Sequence, residues 1–166
     1  MINVEFTLRK FEPRDLDIVM YINRTTLPEN YTSRFFMEHH ERFPEAFLVA
    51  EVEGNVVGYV MSRVELGLGC TVKGIIKKGH IVSIAVLPDY RRRGIGSKLL
   101  EQAMEALKDI YGCKEVYLEV RVSNNPAISL YEKYGFRKVK IIRGYYLDGE
   151  DAYIMARPLI FTAKPI

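Results

Sequence analysis

His80–Leu100 reads HIVSIAVLPDYRRRGIGSKLL, and its two halves decide the fold. The first half is apolar and β-branched up to Pro88-Asp89, which predicts a strand that begins at His80 and is buried on both faces. The second half predicts a helix entered through Gly94 and Gly96. Its apolar stripe is Leu99, Leu100, Ala103, Leu107 and Ile110, and it runs to about Tyr111, where Gly112 stops it. Between the halves lies Arg91-Arg92-Arg93-Gly94-Ile95-Gly96-Ser97. Glycines at a strand-to-helix turn let the backbone come close to a ligand. The helix N-terminus adds unpaired N–H groups and the positive end of its dipole, and the arginines add fixed charge. Such a turn suits phosphate. It is not a Walker A loop, which needs Gly-Lys-Ser/Thr, and Leu99 stands where a dinucleotide fingerprint needs its third glycine.

Outward from this stretch, the chain alternates strands and helices. Val4, Phe6 and Leu8 predict a first strand, and Pro13 opens a helix with Leu16, Ile18, Val19, Tyr21 and Ile22 on its apolar face. Thr26–Tyr31 breaks the helical pattern at Pro28, with Glu29 and Tyr31 expected to be presented rather than packed. A short helix follows over Ser33–Arg42. Ala46–Glu53 and Val56–Val64 form a hairpin through Gly54-Asn55, and Gly58 marks a bulge or a close backbone approach. Leu66–Gly79 is rich in Gly and Lys and predicts a mobile connection with solvated lysines. Glu115–Val122 is a strand, with Val116, Leu118 and Val120 pointing one way and Tyr117, Glu119 and Arg121 the other. Asn124 caps a helix over Ala127–Tyr134, Phe136–Ile142 is a strand, Gly144–Gly149 a turn, and Ala152–Leu159 a last strand. The order β-α-α-β-β-β-α-β-α-β-β predicts an α/β fold: a mixed sheet of about seven strands, helices on both faces, and a right-handed crossover between two parallel strands.

The length of 166 residues suits one domain, 1–166, with a tail from Ile160 to Ile166 that frays. At 48% hydrophobic and 27% charged residues the chain is globular rather than disordered. A net charge of +3 suits an anionic cofactor and is too small to argue for nucleic acid. Cys70 and Cys113 make neither a metal spacing nor a disulfide framework, which fits the cytoplasm. No apolar run reaches membrane-spanning length, and MINVEFTLRK lacks a signal-peptide core.

The loop R-x-x-G-x-G from Arg91 to Gly96, after strand residues I-A-V-L-P, resembles the pyrophosphate loop of the GNAT acetyltransferases. Four further segments are similar to the RimI-type N-terminal acetyltransferases and to the archaeal relatives of the NatA catalytic subunit. They are LPENY (Leu27–Tyr31), GHIVSIAVLPDYRRRGIG, YLEVRVSNNPAISLYEKYGF and GYYLDGEDAYIMARPL, together over a third of the chain and in the right order. Leu66–Gly79 and the tail after Leu159 carry no matching segment, and Tyr134 stands where relatives have a smaller apolar residue.

The resemblance implies a GNAT fold with two parallel central strands splayed at the acetyl-CoA site. It also implies transfer of acetyl from acetyl-CoA to the α-amine of a protein N-terminus by direct attack in a ternary complex. Arg91, Arg92, Arg93, Gly94, Ile95, Gly96 and Ser97 would hold the pyrophosphate, and backbone of Ile84, Ala85 and Val86 the pantetheine arm. The Val86 N–H would polarise the acetyl carbonyl. His80 and Glu119 are candidate bases, and Tyr131 would protonate the thiolate and touch the cofactor. A lone strand histidine is also commonly a satisfied structural group, whereas a carboxylate between Leu118 and Val120 needs a reason, with Tyr117 and Arg121 as its neutral explanation. Asn124 would cap its helix and meet the cofactor. Glu29, Tyr31, Tyr145 and Tyr146 would wall the peptide cleft, and Asp148, Glu150 and Asp151 could attract a positively charged N-terminus, although such a run is more often just a solvated turn. No metal, membrane or specific nucleic acid is called for. The expected partners are protein N-termini and nascent chains, with room for ribosome association. Two other readings share the fold: a lysine or small-molecule amine acetyltransferase, and a non-catalytic CoA-binding or ribosome-associated module.

Overall fold

A computed structural model describes residues 5–160. Its strands are β1 (Thr7–Lys10), β2 (Phe47–Val52), β3 (Asn55–Leu68), β4 (Ile75–Val86), β5 (Glu115–Arg121), β6 (Arg137–Ile142) and β7 (Ala152–Pro158). The helices are α1 (Leu16–Thr26), α2 (Ser33–Arg42), α3 (Ile95–Asp109) and α4 (Asn125–Lys133). The elements follow one another in the expected order. The strands form one sheet in the order β1-β2-β3-β4-β5-β7-β6. β4 and β5 are parallel, while β1–β2, β2–β3, β5–β7 and β6–β7 are antiparallel, so the sheet is mixed. Val4 and 161–166 lie outside the described residues.

The chain divides into two compact units: one runs to Arg63 and resumes over Ile81–Ile110, the other holds Val64–His80 and the chain from Tyr111. In the first, an apolar core gathers Val19 and Ile22 of α1, Phe36 of α2, Phe47 and Val49 of β2, and Tyr59 and Met61 of β3. α1 is entered through a 3₁₀ turn at Pro13–Asp15, where the Asp15 carboxylate accepts from the Glu12 N–H at 2.8 Å and pairs with Arg9 at 2.7 Å. β3 carries one extra residue between the partners of Ala50 and Glu51. At Gly58, beside this bulge, a Cβ would sit 3.0 Å from the Ala85 carbonyl oxygen, so the glycine serves both the irregularity and the close approach expected of it.

The stripe on α3 is buried at Leu99, Leu100, Ala103 and Leu107. Ile110 departs from it, because the helix ends at Asp109 and the isoleucine, one residue beyond, is 58% exposed. β4 also departs from expectation. His80, Ile81, Ser83 and Ala85 are buried, but Val82, Ile84 and Val86 stay half-buried. Composition alone cannot tell a strand covered on both faces from one covered fully on one face and partly on the other.

The second unit contains the largest correction. Leu66–Gly79 is not a mobile connection: β3 continues to Leu68, β4 starts at Ile75, and the Gly69 N–H donates to the Gly74 carbonyl at 3.0 Å to close the hairpin. His80 is therefore in mid-strand. The buried Glu115 carboxylate holds the hairpin tip, accepting from the Cys70 N–H at 3.1 Å and from the N–H and hydroxyl of Thr71. These donors outweigh the upward pull of burial, and they and Lys78, 3.7 Å away, hold the Glu115 pKa below its ordinary value. Lys78 is not a solvated lysine, since its ammonium also reaches the Leu68 carbonyl at 3.0 Å and sits 4.7 Å from the centre of the Tyr117 ring. Along β5, Val116, Leu118 and Val120 are buried while Tyr117, Glu119 and Arg121 are half-buried, the alternation read from sequence.

Candidate active site

In the first unit, the turn after β4 enters α3 as expected. Gly94 is the N-cap with φ +83, a left-handed conformation that glycine adopts without a Cβ penalty. A Cβ at Gly94 would meet nothing within 4 Å, and one at Gly96 would lie 3.9 Å from Val86 Cγ2. Space is open there for another molecule. The first intrahelical bond is Lys98 N–H to the Gly94 carbonyl at 3.1 Å, so the N–H groups before it are free to point out of the helix. Arg91, Arg92 and Arg93 are exposed, and Arg91 Nε donates to the Val86 carbonyl at 3.0 Å, fixing the turn to the end of β4. Backbone donors, an open glycine cradle and three guanidinium groups fit a pyrophosphate.

The LPENY segment in the same unit is held from beneath. The Asn23 side-chain amide donates to the Glu29 carbonyl at 3.0 Å and to the Tyr59 hydroxyl at 3.2 Å, and its oxygen accepts from the Tyr31 N–H at 3.2 Å. Tyr59 shares a 2.7 Å hydrogen bond with the Ser83 hydroxyl, and burial pushes the Tyr59 phenol up to about 12. Tyr31 is packed rather than presented. Its ring stacks on Phe35 at 4.5 Å and its hydroxyl donates to the Val82 carbonyl at 3.4 Å. Asn23 escapes a sequence reading because α1 shows it only as a polar residue next to the apolar Ile22.

In the second unit, His80 and Glu119 come together, with His80 Nε2 2.8 Å from Glu119 Oε2. Parallel pairing sets His80 beside Tyr117, two residues from Glu119, and the His80 and Tyr117 rings stack at 4.3 Å. A second carboxylate, absent from the sequence reading, completes the cluster. His80 Nδ1 lies 3.0 Å from Glu65 Oε2, and the Tyr117 hydroxyl donates to Glu65 Oε1. The available signal was the period-two alternation in which Val64, Leu66 and Leu68 lie between Arg63, Glu65, Gly67 and Gly69. Burial acts to lower the His80 pKa, but the hydrogen bonds to Glu119 and then Glu65 more than offset it, so the ring stays protonated above its ordinary range. Tyr117 serves Glu65, and Arg121 pairs with Asp148 and Glu150, each at 2.8 Å.

The remaining candidates lie on α4 and the turn before β7. The Asn124 side chain caps α4 by accepting from the Ala127 N–H at 3.3 Å. Tyr131 is buried, burial raises its phenol to about 12, and among the described residues its hydroxyl makes no hydrogen bond. It is therefore a protonated phenol at neutral pH. Tyr146 is buried beneath the Arg121 guanidinium, 4.0 Å from its ring centre, while Tyr145 is exposed. Asp148, Glu150 and Asp151 are not simply solvated. Besides the Arg121 pairs, Glu150 accepts from the Ser123 N–H, and Asp151 accepts from Arg143 and the Gly144 N–H. Arg121 holds the Asp148 carboxyl below its usual range, second to the Glu150 N–H, and with Ser123 it does the same for Glu150.

Comparison with known proteins gives the family of the chain. A protein of Sulfurisphaera tokodaii named N-alpha-acetyltransferase is 55% identical over 157 residues, 93% of this chain and 94% of its own. N-alpha-acetyltransferase daf-31 of Caenorhabditis elegans is 40% identical over 90% of this chain and 81% of its own. Among solved structures, Ard1 from Thermoplasma volcanium superposes with a TM-score of 0.81 at 34% identity, covering 94% of this chain and 99% of that one. The ribosomal-protein-S18-alanine N-acetyltransferase from Escherichia coli does so with 0.75 at 29%, covering 98% and 99%. The family profile described as acetyltransferase (GNAT) matches residues 16–136, which takes in the LPENY segment, the glycine–arginine turn, the His80–Glu119 pair and Tyr131. A family match over residues 16–136 and an identity of 55% over nine-tenths of its length settle the relationship: the chain belongs to the GNAT acetyltransferase family.

Proposed function

We infer that this chain is a protein N-terminal acetyltransferase, moving acetyl from acetyl-CoA to the α-amine of a polypeptide by direct attack in a ternary complex. The observation that carries this reading is the likeness, over nine-tenths of the chain and more, to proteins named N-alpha-acetyltransferase. The chemistry of the site agrees with it. Neutralising an α-amine of pKa near 7.8 costs about 1 kcal/mol at pH 7, against about 4.6 kcal/mol for a lysine near 10.4. A carboxylate–histidine pair of modest basicity is sufficient for the first.

Each residue then takes one role. The α3 N-terminal turn, Arg91–Ser97, binds the pyrophosphate of acetyl-CoA, backbone of Ile84–Val86 aligns the pantetheine arm, and the Val86 N–H polarises the acetyl carbonyl. Asn124, besides capping α4, meets the cofactor. The His80–Glu119 pair takes up the amine proton. Tyr131, kept protonated by burial, donates to the leaving thiolate. Glu29, Tyr31, Tyr145 and Tyr146 line the path of the peptide, with Tyr31 and Tyr146 acting from packed positions. The enzyme is RimI-like in subgroup and works in the cytoplasm on protein N-termini, nascent chains included, with ribosome association as part of this reading.

The test is a peptide with a free N-terminus and one internal lysine, incubated with protein and acetyl-CoA and read by mass spectrometry. Acetyl is expected on the first residue, and blocking that terminus should nearly abolish turnover. Equal rates with acetyl on the lysine would favour a lysine acetyltransferase, and binding of acetyl-CoA without turnover a non-catalytic module.

A further inference from the structure

We infer that Glu65 is a positioning residue that holds His80 as an imidazolium, so that the proton released by the substrate amine goes to Glu119 Oε1. This deepens the acetyl-transfer reading above and rests on it.

Both ring nitrogens of His80 are engaged by carboxylates, Nδ1 by Glu65 Oε2 at 3.0 Å and Nε2 by Glu119 Oε2 at 2.8 Å. A neutral imidazole has one N–H and one bare lone pair. Set between two ionised carboxylates, it would press that lone pair against an oxygen at hydrogen-bond distance. A proton must resolve the conflict, either on the ring or on a carboxyl. The ring is the stronger base by about two pH units. Glu65 also accepts from the Tyr117 hydroxyl on its other oxygen, so both of its oxygens already face a donor. The side chains of His80, Glu119 and Glu65 are only 8%, 17% and 30% exposed, so little water competes for these bonds. The proton belongs on the ring.

An imidazolium with both N–H groups engaged has no lone pair to offer. Glu119 differs, because among the described residues its Oε1 makes no hydrogen bond. The Glu65–His80–Glu119 cluster carries a net charge of −1, which favours the approach of an ammonium-bearing chain end. The ammonium gives its first proton to bulk water, a small cost for an α-amine at pH 7, and the lone pair so freed forms the C–N bond to the acetyl carbon. The C–S electron pair leaves with the thiolate sulfur. The proton given up by the nitrogen passes to Glu119 Oε1, directly or through one water. An N–H on nitrogen already bonded to the acetyl carbon is far more acidic than a free ammonium, so a carboxylate suffices.

Charged and titratable groups of the described residues stand around the ring on several strands. β3 supplies Glu65, and β5 supplies Tyr117 and Glu119. β4 supplies Lys78, whose ammonium is committed to Glu115 and the Leu68 carbonyl. From β7, the residues paired with Tyr117 and Glu119 are Ala156 and Ile154, which are uncharged.

The experiment is a pH titration by NMR of the protein carrying isotope-labelled histidine, with His80→Gln to assign the signal, beside kcat for Glu65→Gln and Glu119→Gln. Both His80 ring nitrogens should be protonated at neutral pH. Glu65→Gln should move that titration down by about 1–3 pH units. Glu119→Gln should lower kcat by about 100-fold or more. A bare ring nitrogen at neutral pH in the unmodified protein overturns the inference without recourse to any variant, and so does a titration unmoved by Glu65→Gln. A protonated ring that responds to Glu65→Gln, combined with an unchanged kcat in Glu119→Gln, overturns instead the base role of the pair in the reading above.

Discussion

Asn23 and Glu29 are joined side chain to backbone: the buried amide of the one donates to the carbonyl of the other at 3.0 Å. The same amide accepts from the Tyr31 N–H. A polar residue of α1 thereby closes the turn around Pro28 and fixes where Glu29 and Tyr31 stand. The backbone there has no ladder or helix to satisfy it, so the side chain substitutes for one.

Asn23→Ala should release this turn. Three hydrogen bonds go, with the Tyr59 hydroxyl left short of a donor, and the stability loss should be about 2–3 kcal/mol. On the reading that this segment walls the peptide path, KM for peptide should rise while acetyl-CoA affinity holds. Denaturant melts and two-substrate kinetics measure both, and equal weakening of the two substrates would remove the segment from the peptide path.

Glu115→Ala should cost about 3 kcal/mol or more, because it strips the Cys70 and Thr71 donors of their acceptor. The folded-state pKa is depressed, so this stabilisation is complete above the unfolded value of about 4.3 and is lost as pH falls through the lower folded one. Melts of both proteins should therefore converge in acid, and a constant gap down to the acid limit would contradict it.

Gly96→Glu places a side chain and a negative charge at the α3 N-terminus, beside Val86 Cγ2. Acetyl-CoA affinity should fall by about tenfold or more, each tenfold being about 1.4 kcal/mol, with the fold retained. Gly94→Glu adds the strain of a left-handed residue and should also lower stability. Calorimetric titration with circular dichroism decides, and unchanged affinity in Gly96→Glu would remove the turn from the phosphate site.

His80 should show the opposite pH sign to Glu115. Its folded-state pKa is raised, so its ion pairs stabilise fully below the unfolded value of about 6.5, and that contribution is lost as pH rises through the folded value. The stability gap between the unmodified protein and His80→Gln should accordingly narrow on the alkaline side. A gap that widens there would mean that His80 is held neutral.

Much of this was legible because it is local. A β-branched run, a glycine–arginine turn and the start of a helical stripe lie within 21 contiguous residues, His80–Leu100, and the local backbone preferences and the phosphate-binding chemistry agree. The alternation along β5 likewise put Tyr117, Glu119 and Arg121 on one face, since a strand's side-chain period is two whatever it pairs with. Ile110 was misplaced only because a helix end lies within a residue or two of where periodicity puts it.

What only the tertiary structure decided is pairing across distance. Gly67 and Gly69 weaken strand propensity, so Leu66–Gly79 reads as a loop; ladder hydrogen bonds and the Glu115 clasp override that preference and carry β3 and β4 to the hairpin tip. With β3 so extended, Glu65 reaches His80, 15 residues on, and Tyr117, 52 residues on, while His80 meets Glu119 across 39. The sequence determined which residues were able to donate, accept or carry charge. Which nitrogen meets which oxygen was set by strand register, and register is chosen by the summed burial and hydrogen bonding of whole strands rather than by any residue at the site.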